Sequence, residues 1–247
     1  MERVMSTPAR ARPRPPFKPL TSWSWSAYAL YQQCPAKFYY ERIAKLPFEK
    51  GTALLNGQKV HDDAAAYIRG TRAKLPASLG KFPAEFKRLR TKLKREPASI
   101  LVEEEWAFTR SWGMTQWRNW SECFLRVKVD VAERDGIDVT ITDWKTGRYR
   151  PDSKAEYEEQ LSLYIPVTLT VLGSLPDIRV TARLVYLDAD VIYPLDRAGT
   201  ARELPAMKKD WERRIKPMFA DRTFAPKPNQ FCRWCAYRKE AGGPCQF

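Results

Sequence analysis

Leu125-Arg-Val-Lys-Val-Asp130 and Val139-Thr-Ile-Thr-Asp143-Trp144-Lys145-Thr-Gly147, joined through Arg134-Asp135-Gly136, decide how this chain of 247 residues folds. In the first run Leu125, Val127 and Val129 alternate with Arg126, Lys128 and Asp130; in the second Val139 and Ile141 alternate with Thr140 and Thr142. A period of two marks a strand with one apolar face, and an Asp-Gly step between two such runs predicts a β-hairpin. Side chains two apart share a face, so Asp130 ends one polar row, Asp143 ends the neighbouring strand, and Lys145 projects to the side of Asp143. Two carboxylates and an ammonium converging at a strand end form a divalent-metal site with a fixed cation beside it. Hard oxygens suit Mg²⁺ or Mn²⁺, ions that keep several waters and also take up substrate phosphate. The lysine can orient or activate the attacking water and offset charge developing on phosphorus. Taken alone, the same residues are equally a solvated strand edge.

Two flanking phrases remove that ambiguity. Upstream stands Gly57-Gln-Lys-Val-His61, on a run from 52 to 69 that reads as a helix and carries the single histidine of the chain; downstream stands Gln160-Leu-Ser-Leu-Tyr164, on a helix predicted over 155–171. In this order the four elements resemble the PD-(D/E)XK nuclease superfamily in its RecB-like branch. The resemblance implies an α/β fold, a restriction-endonuclease-like core in which a mixed central sheet is flanked by helices. It also implies metal ligation by Asp130, Asp143, His61 and the main-chain carbonyl of Trp144, water activation by Lys145, and contact of Gln160 and Tyr164 with the DNA strand being cut. The branch often adds a glutamate on the strand before the hairpin. Here Leu101 to Phe108 is strand-like and alternation puts Glu103 and Glu105 on one face; Glu103, after the apolar entry Ile-Leu-Val, is the expected fourth catalytic residue.

The net charge of +14 is uneven. Residues 1–20, 71–100 and 206–247 carry +4, +7 and +6, which leaves the remainder at −3. Basic arms around an acidic centre suit a protein that gathers phosphates toward carboxylate-bound metal. Residues 1–20, with five prolines, read as a disordered basic arm, and 21–247 as one nuclease domain with its core at about 100–195. No apolar run reaches membrane-spanning length and the start lacks an apolar leader, so a cytoplasmic protein is expected. No Gly-x-x-x-x-Gly-Lys-Ser/Thr loop occurs, which excludes a recognisable helicase motor.

Five cysteines in such a protein are not expected to pair as disulfides. Cys34 lies in Ser26-Ala-Tyr-Ala-Leu-Tyr-Gln-Gln-Cys34-Pro-Ala-Lys-Phe38, where Pro35 must end one helix and open the next; Cys232, Cys235 and Cys245 lie in the aromatic tail. One cysteine far upstream and three near the C-terminus resemble the [4Fe-4S] staple of RecB-like nucleases and of the related CRISPR-adaptation nucleases. The nine-residue gap before Cys245 is longer than that pattern usually has, and Zn²⁺ is the competing occupant. Cys123 reads as a buried thiol. The function expected is a metal-dependent DNA exonuclease on single strands or DNA ends, working beside replication, recombination or repair proteins and of phage-encoded type. The competing readings are an inactive nuclease fold and a zinc-stabilised nucleic-acid-binding module.

Overall fold

The computed structural model describes residues 19–48, 51–173 and 178–247, so the basic arm falls almost wholly outside the described residues. The hairpin is present: β3 (Leu125–Asp135) turns antiparallel into β4 (Asp138–Lys145), with Asp135 opposite Asp138. Gly136 takes φ +60 at the first turn position, which the primed turns of tight hairpins require.

Around the hairpin lies a mixed six-stranded sheet in the order β2-β1-β3-β4-β5-β6. Its other strands are β1 (Ile100–Phe108), β2 (Met114–Thr115), β5 (Arg179–Tyr186) and β6 (Val191–Thr200). Only β4 and β5 are parallel, and they are joined by α5 (Lys154–Val171), the crossover that a parallel pair needs. The expected α/β architecture is therefore the one observed.

The sheet carries a core on each face. On one, α5 packs Leu161, Leu163 and Val167 against Val139, Ile141 and Leu184, together with α1 (Trp25–Gln33), the short α2 (Pro35–Phe38) and α6 (Leu204–Ala220). On the other, α3 (Thr52–Ile68) and α4 (Pro83–Arg95) bury Ala64, Ile68, Phe86 and Leu89 over Val131 and Trp144. Trp144 is 1% exposed, its ring centroid 4.9 Å from that of Phe86, so the tryptophan of the Asp-Trp-Lys phrase anchors α4 to the sheet. Among the described residues no helix is long and apolar enough to cross a membrane.

One cation of basic α4 is committed to carboxylates. Arg88 spans both oxygens of Glu133 at 2.6 and 2.8 Å and also binds Glu85, while Arg183 from β5 reaches Glu85 at 2.5 Å. Glu133 is 7% exposed, and removing it leaves Arg88, Lys92 and Arg183 without their shared carboxylate. Glu133→Ala is expected to cost about 2 kcal/mol, seen as a fall of roughly 4–8 °C in Tm. An unchanged Tm would show the network to be mere surface pairing.

Candidate metal centre

The last hairpin pair is Val131 with Thr142; the next residues toward the strand ends are Asp130 and Asp143. Beyond them β3 continues beside β1 while β4 turns toward β5, so the two carboxylates stand where the sheet splits. Asp130 and Asp143 are 7% and 8% exposed.

Glu103 completes one side of this split. It lies opposite Asp130, but the ladder is interrupted there, with Val102–Val131 and Glu104–Val129 paired on either side. Glu103 has φ +54, a left-handed conformation that a non-glycine residue adopts at a cost of about 1–3 kcal/mol and that clusters at functional sites. The strand changes face there: Ile100 and Val102 face α3 and α4, whereas Trp106 and Phe108, of the same parity, join the α5 core. Alternation counted across that point fails, so Glu103 and Glu105 do not share a face. Glu105 is exposed and Glu103 is half-buried.

His61 arrives from α3. Its Nδ1 is 3.0 Å from Oδ1 of Asp130 and 4.0 Å from Oε1 of Glu103. Gly57, one turn earlier, lets the helix approach the segment after β4, since a Cβ there would sit 3.2 Å from Oγ1 of Thr146. One donor atom from each of His61, Glu103 and Asp130 falls within 4.8 Å of the others.

Asp143 is held from the opposite side. Its Oδ1 accepts from Tyr164 at 2.5 Å and from Gln160 Nε2 at 3.1 Å, and its Oδ2 lies 2.8 Å from Lys145 Nζ. That Oδ2 is buried and accepts no well-aligned hydrogen bond, even from the lysine beside it. Gln160 and Tyr164 are buried, with their donors turned onto the Asp143 carboxylate, which they orient as partners behind a metal ligand do. Trp144 enters the site through its amide nitrogen, which donates to Asp130 Oδ2 at 2.7 Å.

Burial, reinforced by the charge of Asp143, raises the carboxyl of Asp130 above the usual range despite His61 and the Trp144 amide. Burial would lower the imidazole of His61, yet Asp130, Asp143 and Glu103 outweigh it and raise it. Burial and the same two aspartates hold Tyr164 well above the ordinary phenol range, so it stays a donor. Three carboxylates crowded in a sheet gap beside an imidazole are a hard-donor set that fits a divalent cation such as Mg²⁺ or Mn²⁺. Lys128 was not foreseen. Its ammonium pairs with Oε2 of Glu103, and the signal was available, because it precedes Asp130 by two residues on the polar row.

Apart from the carboxylates, Cys34, Cys232, Cys235 and Cys245 line one apolar pocket with Tyr40, Phe231 and Tyr237. Gly242 (φ +73) and Gly243, where a Cβ would stand 2.3 Å from the Tyr237 backbone, fold the nine-residue spacer back, and Cys245 N donates to Tyr237 O at 2.9 Å. Backbone amides approach two sulfurs, Lys227 N to Cys34 at 3.5 Å and Asn229 N to Cys232 at 3.3 Å. Among the described residues no three cysteine sulfurs lie within 4.8 Å of one another. The sulfurs share a pocket without closing on one point. Cys123 is buried elsewhere, 2% exposed.

A family model of the PD-(D/E)XK nuclease superfamily matches residues 22–239. No curated protein matches. Among solved structures, one titled "Crystal structure of SSO0001" is similar over 89% of this chain and 85% of that chain, at 14% sequence identity and a TM-score of 0.44.

Proposed function

The chain belongs to the PD-(D/E)XK nuclease superfamily, and from that premise we propose that it is a Mg²⁺- or Mn²⁺-dependent deoxyribonuclease of the RecB-like kind, acting on single strands or DNA ends. The observation that carries this reading is the meeting of His61, Glu103 and Asp130 with the Asp143–Lys145 pair where β3 and β4 part.

Asp130, Glu103 and His61 are the residues to hold the ion, with Asp143 facing it from β4. A bound Mg²⁺ or Mn²⁺ supplies a Lewis acid for a phosphoryl oxygen and a more acidic bound water. Lys145, 2.8 Å from Asp143 and 30% exposed at its side chain, orients the water that attacks phosphorus and offsets the charge that gathers as the bond to the leaving sugar oxygen breaks. Tyr164 and Gln160 keep Asp143 in one rotamer throughout. Digestion of 5′- and 3′-end-labelled single- and double-stranded oligonucleotides, with Mn²⁺ and with EDTA, tests the proposal. Metal-dependent cleavage is expected, and binding without any cleavage would leave an inactive nuclease fold.

Tyr164→Phe removes only the hydroxyl on Asp143. It should weaken metal affinity or turnover by about 10–100-fold, as loss of a partner behind a metal ligand does. Titration of activity against Mn²⁺ reads this, and a curve superposing on that of the parent protein would deny Tyr164 its positioning role.

The cysteine pocket is proposed to hold a [4Fe-4S] cluster. Support comes from the shared pocket and the two amides aimed at sulfur. Its role is to tie α1 to the tail, and the phosphodiester chemistry stays with the carboxylates.

A further inference from the structure

Where β3 runs on past the split, a cleft of about 540 Å³ opens between it, the 20–27 segment and α5. It begins at Asp143, Gln160 and Tyr164 and passes Lys128 to Arg126 and Trp117. Arg126, Lys128 and Asp130 form one polar row of β3, so two cationic side chains lead up to the proposed metal ligand at intervals of about 7 Å.

Arg126 is held in an unusual way. Its guanidinium lies 4.3 Å from the ring centroid of Trp120 and 5.7 Å from that of Trp117, and its Nε donates to the main-chain oxygen of Trp117 at 3.2 Å. Among the described residues no carboxylate pairs with it. The Cys123 thiol lies beside the same guanidinium. Trp120 is 71% exposed, with Arg126 on its ring and the rest of the indole in solvent. A positive charge without a carboxylate partner and an exposed aromatic ring beside it, at a cleft that reaches Asp143, suit a ligand that carries acceptor oxygens and a flat ring.

We propose that this cleft and the Trp120 ring beside it form a subsite for an unpaired nucleotide next to the scissile phosphate, its phosphate on Arg126 and its base stacked on Trp120. The inference rests on the nuclease reading and adds to it a physical basis for single-strand selection. A base can lie on Trp120 only when it has left its duplex stack, so single strands and frayed ends bind here and blunt duplex does not. Stacking tolerates any base, so the subsite selects for strandedness and not for sequence.

The test is binding of fluorescein-labelled oligothymidylate to the full chain in EDTA, where no cleavage runs, followed by anisotropy, with a blunt duplex of equal length as the second probe. Trp120→Ala should weaken single-strand binding by about 10-fold, Trp120→Phe should restore most of it, and the preference over duplex should shrink accordingly. Arg126→Gln should lower the slope of log affinity against log salt by about 0.7, the loss of one phosphate contact on a single strand. Unchanged single-strand affinity in Trp120→Ala, or equal losses on both probes, overturns the subsite even if the parent protein cleaves DNA. Loss confined to single strands, with rescue by phenylalanine, upholds it even if no metal supports cleavage and the nuclease reading fails.

Discussion

Asp130→Asn and Lys145→Ala should each abolish metal-dependent cleavage, by on the order of 10³-fold or more for the aspartate and about 10²–10³-fold for the lysine, as loss of a group that stabilises transition-state charge does. The aspartate has the larger effect because it touches every other part of the centre: His61 through Oδ1, the Trp144 amide through Oδ2, and Asp143 by charge. Asparagine keeps the shape and can still accept from Trp144, so the fold is expected to survive. Burial and the neighbouring Asp143 already hold the Asp130 carboxyl above its usual range, which means that the ionised side chain is a burden on the metal-free protein. Asp130→Asn should therefore melt at the same temperature as the parent or higher in EDTA. The parent alone should then gain stability when Mn²⁺ is added, since an ion that binds only the folded state stabilises it by mass action. Cleavage by Asp130→Asn within a few-fold of the parent rate would remove the metal centre from this position.

The second large effect is expected from the cysteines. Cys34→Ala or Cys232→Ala should strip iron and acid-labile sulfide, bleach the visible absorbance of anaerobically purified protein, and lower Tm by roughly 10–20 °C. The magnitude comes from chain entropy. A cross-link between residues 34 and 232 closes a loop of about 200 residues, which on the analogous disulfide estimate contributes about 5 kcal/mol. Part of the tail would stay attached, because Tyr237 donates to Leu46 O and packs on Tyr40, and Asn229 Nδ2 donates to Gln33 O. Protease should accordingly cut first after residue 221, where α6 has ended, and leave the sheet intact. Metal analysis that finds one zinc per chain, with no iron or sulfide, would replace the cluster by the zinc alternative.

Glu103 marks the limit of reading by period. Its selection over Glu105 rested on its place after the apolar entry Ile-Leu-Val, while the count of two that put both on one face assumed an unbroken strand; the observed side chain reaches the site where the strand is broken, at φ +54. No composition signal announces a left-handed glutamate, since the strain is held by the packing of Val102 on one side of the sheet and Trp106 on the other. Gln160 and Tyr164 show the converse. Their four-residue spacing correctly put them on one face of α5, but which partner takes their hydrogen bonds depends on how deeply that helix sinks into the sheet. Lys128 and Arg126 were visible as a polar row and meaningless until β3 parted from β4.

The residue order alone determined the hairpin, the helices that follow 3.6-residue spacing and the stop at Cys34-Pro35, because each of these is set by contacts a few residues apart or by the burial of one apolar face, whereas the mixed α/β class came with the family resemblance. Tertiary structure decided which acid stands with His61, what restrains Asp143, where the cleft opens and whether Cys245 returns to the other three cysteines. Those are distances between segments tens to hundreds of residues apart, fixed by the packing of two cores on opposite faces of one sheet, and local periodicity carries no measure of them.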